Sequence, residues 1–309
     1  MTNIKDTAEL QKAIRRLLKE KNAILLVHNY QRGEIQDIAD LTGDSLDLSI
    51  RASKTNARII IFCGVHFMAE TAAILCPDKM VIIPRKDAGC PMADMITADN
   101  LRKKRQELPG VPVVTYVNST ADVKALSDIC CTSANAIHVV NSLKNADTVF
   151  MTPDQNLAKY TQKHTNKKVL YWEGFCPFHH NLKPEEVLKA KGEHPDALFI
   201  AHPECRPEVL DLADQINSTQ GMLSFVNQSR HHSFIIGTEI GMLHPLRKQN
   251  PGKKFYPASE GLVCNQMKKT RLLDVLRALE TLENVVKIPE EVRIPAKKAV
   301  DRMLAVPRD

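Results

Sequence analysis

Ala23-Ile24-Leu25-Leu26-Val27-His28-Asn29-Tyr30 runs five aliphatic residues in succession and then stops on a polar triplet. A run that short, apolar at odd and even positions alike, predicts a strand covered on both faces, which is what a parallel sheet requires. The pattern returns in Arg58-Ile59-Ile60-Ile61-Phe62, in Val111 to Val117, in Thr148-Val149-Phe150-Met151 and in Ala197-Leu198-Phe199-Ile200. Polar loops and stretches of helical periodicity separate these runs, so the chain reads as α/β.

Three of the strands end on comparable triplets, His28-Asn29-Tyr30, Tyr116-Val117-Asn118 and His202-Pro203-Glu204, whose starts lie 88 and 86 residues apart. Seventeen residues after each start comes a hydroxyl, Ser45, Ser133 or Thr219, in a turn-like context that reads as a helix N-cap. A cysteine follows at a matching distance in each copy: Cys90 is 62 residues after His28, Cys176 is 60 after Tyr116, and Cys264 is 62 after His202. Cys63, Cys76, Cys130, Cys131 and Cys205 fall outside this register and read as small buried hydrophobes.

A period of about 87 residues exceeds the 20 to 50 of solenoid repeats, so each copy is expected to be a small domain. The expectation is three similar three-layer αβα domains with parallel sheets around a pseudo-threefold axis. Their expected boundaries are 1–88, 89–174 and 175–264, with a helix-like tail, 265–309, packing back on the first. Ligands in open parallel sheets bind beyond the carboxyl ends of the strands, where the triplets, hydroxyls and thiols are predicted to collect.

The composition narrows the function classes. A net charge of +6 on 309 residues is modest, and its densest basic group, Arg102-Lys103-Lys104-Arg105, reads as a solvated helix face, as do pairs such as Lys268-Lys269. With aromatics at 5%, the basic stripe and stacking residues of a nucleic-acid binder are missing. No stretch reaches the roughly 20 apolar residues of a membrane span, and Met1 to Glu20 resembles neither a signal nor a transit peptide, which sets an expectation of a cytoplasmic enzyme. Eight cysteines without one CxxC pair argue against a disulfide framework, a zinc ribbon or a ferredoxin-type run.

Three thiolates from distant parts of a chain suit either zinc with an open position or a cubane cluster with one iron lacking a protein ligand, and spacing does not separate the two. Either is a Lewis acid. His28, Tyr30, Tyr116, His202 and Glu204, at strand ends, are the acid–base candidates beside it. Ser45, Ser133 and Thr219 at helix starts would hold carboxylate or phosphate oxygens. The site reads as one for small, multiply anionic molecules that transfer protons and lose water or phosphate.

Ten ordered segments carry a resemblance: His28-Asn29-Tyr30-Gln31, Gly43-Asp44-Ser45-Leu46, Phe67 to Ala72, Gly89-Cys90-Pro91-Met92-Ala93-Asp94-Met95, Tyr116-Val117-Asn118-Ser119, Thr132 to Ala136, Trp172 to Cys176, His202-Pro203-Glu204-Cys205, Gly237-Thr238-Glu239 and Cys264 to Lys268. In this order, over nearly the whole chain, they resemble the quinolinate synthase family. The resemblance implies a 4Fe-4S cluster on Cys90, Cys176 and Cys264 with one iron open to substrate. It also implies a transferase-type dehydrating condensation of iminoaspartate with dihydroxyacetone phosphate to quinolinate, in NAD biosynthesis.

By the same resemblance, His28, Ser45, Tyr116, Asn118, Ser133, His202, Glu204 and Thr219 contact substrate and Tyr30 lies near the chemistry. Partners would be the two anionic substrates and, transiently, the aspartate oxidase or dehydrogenase that makes iminoaspartate. Pro91 and Pro177 after the first two ligands depart from the family pattern, and the extra C-terminal cysteine cluster of some relatives is missing. The competing readings are another 4Fe-4S hydro-lyase acting on a small di- or tricarboxylate and a non-catalytic iron–sulfur sensor; for the latter no recognition module is evident.

Overall fold

A computed structural model of the chain describes residues 6–307. The first five residues of the charged N-terminal stretch and the last two of the tail lie outside them. The strands form three parallel four-stranded sheets. The first contains β1 (Ala23–His28), β2 (Leu41–Gly43), β3 (Ile59–Cys63) and β4 (Met80–Ile82). The second contains β5 (Val113–Tyr116), β6 (Ile129–Cys131), β7 (Thr148–Thr152) and β8 (Lys168–Tyr171). The third contains β9 (Leu198–Ala201), β10 (Gln215–Ile216), β11 (Ser233–Gly237) and β12 (Lys254–Pro257).

Each sheet has the same spatial order, β2-β1-β3-β4, β6-β5-β7-β8 and β10-β9-β11-β12. The repeat read from triplets and cysteines is therefore a repeat of topology. In this order the chain leaves the first strand of a sheet towards one side and reaches the third on the other. The crevice where ligands bind then opens beyond the carboxyl ends of those two central strands.

The five predicted strands are β1, β3, β5, β7 and β9, each shifted by no more than two residues from the expected run. All are central strands, and β1 shows why they were legible. Leu25 and Val27 face a cluster with Leu10, Ile14 and Leu18 of helix Thr7–Glu20, while Leu26, on the opposite face, is equally buried. The strands that escaped notice are the edges, of two to four residues, and β11, whose apolar run is only Phe234-Ile235-Ile236.

The chain divides into two compact units, Met1–Cys90 with Cys264–Pro289 and Pro91–Val263 with Glu290–Asp309. The first holds the first sheet; its core joins Leu25, Val27, Ile61 and Ile82 to Val275 and Leu279 of helix Leu272–Thr281. The second holds the other two sheets, with cores around Phe150 and around Phe199 and Ile235. The tail splits accordingly. Helix Leu272–Thr281 packs on helix Thr7–Glu20, whereas helix Glu290–Leu304 packs on helix Ala121–Ala125 and β6 of the second sheet.

Candidate active site

The loops that carry Cys90, Cys176 and Cys264 follow the fourth strand of each sheet and are anchored alike. The carbonyl two residues before each cysteine accepts a backbone N–H from the first residue of the helix after the third strand: His66 to Ala88 at 2.8 Å, Gln155 to Gly174 at 2.8 Å and Ile240 to Leu262 at 2.9 Å. No other cysteine sits in such a loop among the described residues. Cys176 has a further tie, its N–H donating to Asp154 Oδ2 at 3.0 Å. Gly174 is required there, because a Cβ would stand 2.6 Å from the Pro153 carbonyl oxygen.

Burial sets Cys90 and Cys264 apart from the other six thiols. Burial pushes Cys76 up to about 11 and Cys130 up to about 12, and raises Cys63, Cys131 and Cys205 well above the ordinary thiol value. Such groups resist becoming the thiolate that binds metal. Cys90 and Cys264 are half-exposed instead, and Cys176 lies within a donor set. Its sulfur, one His179 nitrogen and a Glu204 oxygen lie within 4.8 Å of one another. Pro177 occupies the first position of the short helix Pro177–His180, where proline costs nothing, so that departure is accommodated by the backbone.

Glu204 is the centre of the buried polar group. Burial raises its carboxyl, but His202 and His179 with hydrogen bonds from His179 and Tyr116 outweigh this and hold it at about 2. It is therefore a carboxylate, and His179 Nδ1 donates to its Oε2 at 2.6 Å. His179 Nε2 bonds the Thr238 hydroxyl at 2.8 Å, so the ring spans from the end of β9 to the end of β11, across the switch point of the third sheet. The His202 ring stacks on it, 4.6 Å between centroids and 10° from parallel. Nearby Asp154 is raised by burial and by the Glu204 charge, and Asn156 ties the segment by donating to the Glu204 carbonyl at 3.0 Å.

The two strand-end histidines share a device. His28 Nδ1 accepts the N–H of Tyr30 at 3.1 Å, and His202 Nδ1 accepts the N–H of Glu204 at 3.3 Å. With Nδ1 turned towards that backbone N–H, Nε2 is the nitrogen each ring offers to a ligand.

The reading of Ser45, Ser133 and Thr219 as N-caps is corrected. Asp44 caps helix Ser45–Lys54 by accepting from Asp47 N at 2.7 Å, and Ser218 caps helix Thr219–Gln228 by accepting from Gly221 N at 3.2 Å. Ser45 and Thr219 are the first helical residues, and Ser133 lies in the turn before Asn135, the N-cap of helix Ala136–Ser142. The helix does not use the Thr219 hydroxyl, which is buried without a partner. Asn118, Ser45 and Ser133 are half-buried; His28, Tyr30, Tyr116, His202 and Glu204 are buried.

Within the second unit the structure brings together Tyr116, Cys176, His202 and Glu204, and with them His179, which the sequence reading left without a role. Its signal was its place three residues after Cys176, one turn away on the same short helix. The basic run is also settled: Arg102, Lys104 and Arg105 pair with Asp99, Glu107 and Asp128 and form no free cationic stripe. No helix among the described residues is long and apolar enough to cross a membrane.

Repeated parallel sheets, a buried carboxylate held ionised between two imidazoles and a thiol in a metal-capable group define an α/β enzyme of acid–base and metal chemistry. The family model for quinolinate synthetase A protein matches residues 12–305. Proteins named quinolinate synthase are 58% identical over 301 residues in Geotalea uraniireducens, covering 97% of this chain and 99% of that one. One from Geobacter metallireducens is 57% identical over 300 residues, 97% and 98% of the two chains, and one from Methanoregula boonei 56% over 301, 97% and 99%. The chain belongs to the quinolinate synthetase A protein family.

Proposed function

We propose that this chain is a quinolinate synthase of NAD biosynthesis that condenses iminoaspartate with dihydroxyacetone phosphate, releasing phosphate and water. The observation that carries the reading is the near-complete match to relatives of that name, and it disfavours the hydro-lyase alternative. The chain forms three αβα domains, about 1–88, 89–174 and 175–264, and Cys90, Cys176 and Cys264 together hold a single 4Fe-4S cluster. The thiol chemistry fits this group: three cysteines sit in one kind of loop, and the other five are held protonated by burial. When bound, such a cluster with one iron free of protein ligands supplies Lewis acidity towards a carboxylate or hydroxyl oxygen.

The chain's own residues supply the rest. His28 and His202 offer Nε2 to substrate oxygens, fixed by their Nδ1 bonds. Glu204, ionised, accepts a proton from a substrate carbon or nitrogen, and the Tyr116 hydroxyl bonded to it moves or holds that proton. Tyr30 completes the acid–base set. Ser45 and Thr219 at the starts of ten-residue helices, with Asn118 and Ser133, take carboxylate and phosphate oxygens where the helix dipole favours negative charge. The protein works in the cytoplasm and meets the oxidase or dehydrogenase that makes iminoaspartate only transiently.

Anaerobically reconstituted protein given both substrates should form quinolinate, detected by mass. Cys90→Ala, Cys176→Ala and Cys264→Ala should each be iron-poor, while Cys63→Ala and Cys130→Ala keep their iron. No pyridine product from iron-loaded protein would sink the activity, and full iron in Cys264→Ala would sink the ligand assignment.

A further inference from the structure

Lys268 and Lys269 do not form the solvated face that the sequence suggested. They lie on the short turn Met267–Lys269 just after Cys264, whose carbonyl accepts the Lys268 N–H at 3.1 Å. The turn is joined to the loop after β1 by bonds running both ways. Lys268 Nζ donates to the Tyr30 carbonyl at 2.5 Å, and Arg32 donates to the Lys268 carbonyl through Nε at 3.0 Å and Nη2 at 2.9 Å. Between them Gln31, fully buried, reaches the Met267 sulfur at 3.8 Å.

The next residue extends the connection. Lys269 Nζ donates to the Asp87 carbonyl at 2.6 Å and pairs with its carboxylate at 3.3 Å, three residues before Cys90. One turn thus grips the Tyr30 loop on one side and the Cys90 loop on the other. Charged donors on backbone carbonyls are among the stronger protein hydrogen bonds, and a two-armed guanidinium fixes direction as well as distance. Behind the loop is the four-residue helix Gly33–Gln36, whose Gln36 Nε2 donates to the Asn29 carbonyl at 3.0 Å and the Gln31 carbonyl at 2.8 Å, so the bonds from the turn add to a short local set.

We propose that Arg32 and Lys268 are positioning residues for Tyr30, forming a reciprocal latch that sets the Tyr30 loop by reference to the turn after Cys264. The assignment rests on the proposed function, in which Tyr30 faces substrate. The latch makes placement of the tyrosine depend on the segment that carries a cysteine ligand, so the two parts of the site are ordered together. A misplacement of about 1 Å costs up to about 100-fold in rate, so a latch of this kind has kinetic consequences.

The test uses the full chain and two readouts. In metal-free protein, amide exchange at Gln31, Ile35 and Gln36 should quicken by about tenfold in Arg32→Met and in Lys268→Met. The double variant should be little worse than either single one, since both remove one latch. In reconstituted protein, turnover per iron should fall at least about tenfold in the same variants. Combining either with Tyr30→Phe should add nothing to the loss seen in Tyr30→Phe alone. If the methionine variants do not fold, Arg32→Lys, which reaches the carbonyl with one ammonium, carries the test with a smaller rise in exchange.

Unchanged exchange overturns the latch, and quicker exchange with parental turnover overturns the positioning role. If Tyr30→Phe itself turns over normally, the reading of Tyr30 as a substrate-facing group is what fails, and exchange alone then decides whether the latch exists.

Discussion

At the scale of single residues, the electrostatics of Glu204 make the sharpest claim. Its carboxyl stays near 2 because His202, His179 and Tyr116 outweigh burial. His179→Asn removes the imidazole and its hydrogen bond from that balance, so the carboxyl should rise. The sign follows: the parent keeps Glu204 ionised through the working range, and the variant should show an acid limb in kcat/KM displaced to higher pH. Glu204→Gln should retain iron and lose about 100-fold or more in kcat, and Tyr116→Phe should lose less, since only a donor goes. An acid limb in His179→Asn that coincides with the parent's would mean that His179 does not act on Glu204. Most of this cluster was legible because Tyr116, His202 and Glu204 sit at strand ends, where a register exists to be counted. His179 was not, because its partners, Glu204 and Thr238, are 25 and 59 residues away and only folding sets them beside it.

Thiol chemistry belongs to the same scale. In metal-free protein at about pH 8, near the ordinary thiol pKa, Cys90 and Cys264 should alkylate first with iodoacetamide. Cys63, Cys76, Cys130, Cys131 and Cys205 should wait for unfolding. Rapid labelling of Cys130 in folded protein, read by peptide mass, would contradict its burial.

At the scale of elements, the helix starts separate two roles that a sequence merges. A Ser or Thr ahead of a helical run could be the cap or the first helical residue, and the neighbours Ser218 and Thr219 divide those roles. Ser218→Ala removes the bond to Gly221 N and should cost about 1 kcal/mol of stability. Thr219→Ala removes a buried hydroxyl that bonds nothing in the protein, so stability should hold or rise while substrate affinity falls. Denaturant melts and substrate titrations on the pair resolve the two, and equal stability losses would return Thr219 to capping. Edge strands such as β10, two residues long, were illegible for a related reason: they bury too little to impose a hydrophobic pattern. The loops before the cysteines were legible only as glycine-bearing turns. The reason Gly174 must be glycine, the Pro153 carbonyl, comes from a segment 21 residues earlier.

At the scale of the whole molecule, the chain visits its two compact units alternately, leaving the first at Cys90, returning at Cys264 and leaving again at Pro289. The last visit is made by helix Glu290–Leu304, which carries Pro295 within it and has only a narrow buried stripe, Ala296, Ala299, Val300 and Met303. That stripe lies against helix Ala121–Ala125 and β6, just after the strand-end triplet of the second sheet. Arg302 adds a bond to the Asp128 carbonyl at 2.8 Å, and the Met303 carbonyl accepts from the buried Asn135 amide at 3.4 Å. Asn135 stands at the start of the helix that follows Ser133 and its Oδ1 accepts the Thr132 N–H at 2.8 Å, so the C-terminal helix supports a candidate substrate segment from behind. Burying one valine, one methionine and two alanines corresponds to about 5 kcal/mol as an upper estimate. Ending the chain at Pro289 should therefore lower the thermal midpoint of the second unit and quicken amide exchange across residues 113–135. The core around Leu25, Val27 and Val275 in the first unit draws nothing from this helix and should keep its protection. Exchange that quickens equally in both units would show that the C-terminal helix stabilises the molecule as a whole and has no local role behind Ser133.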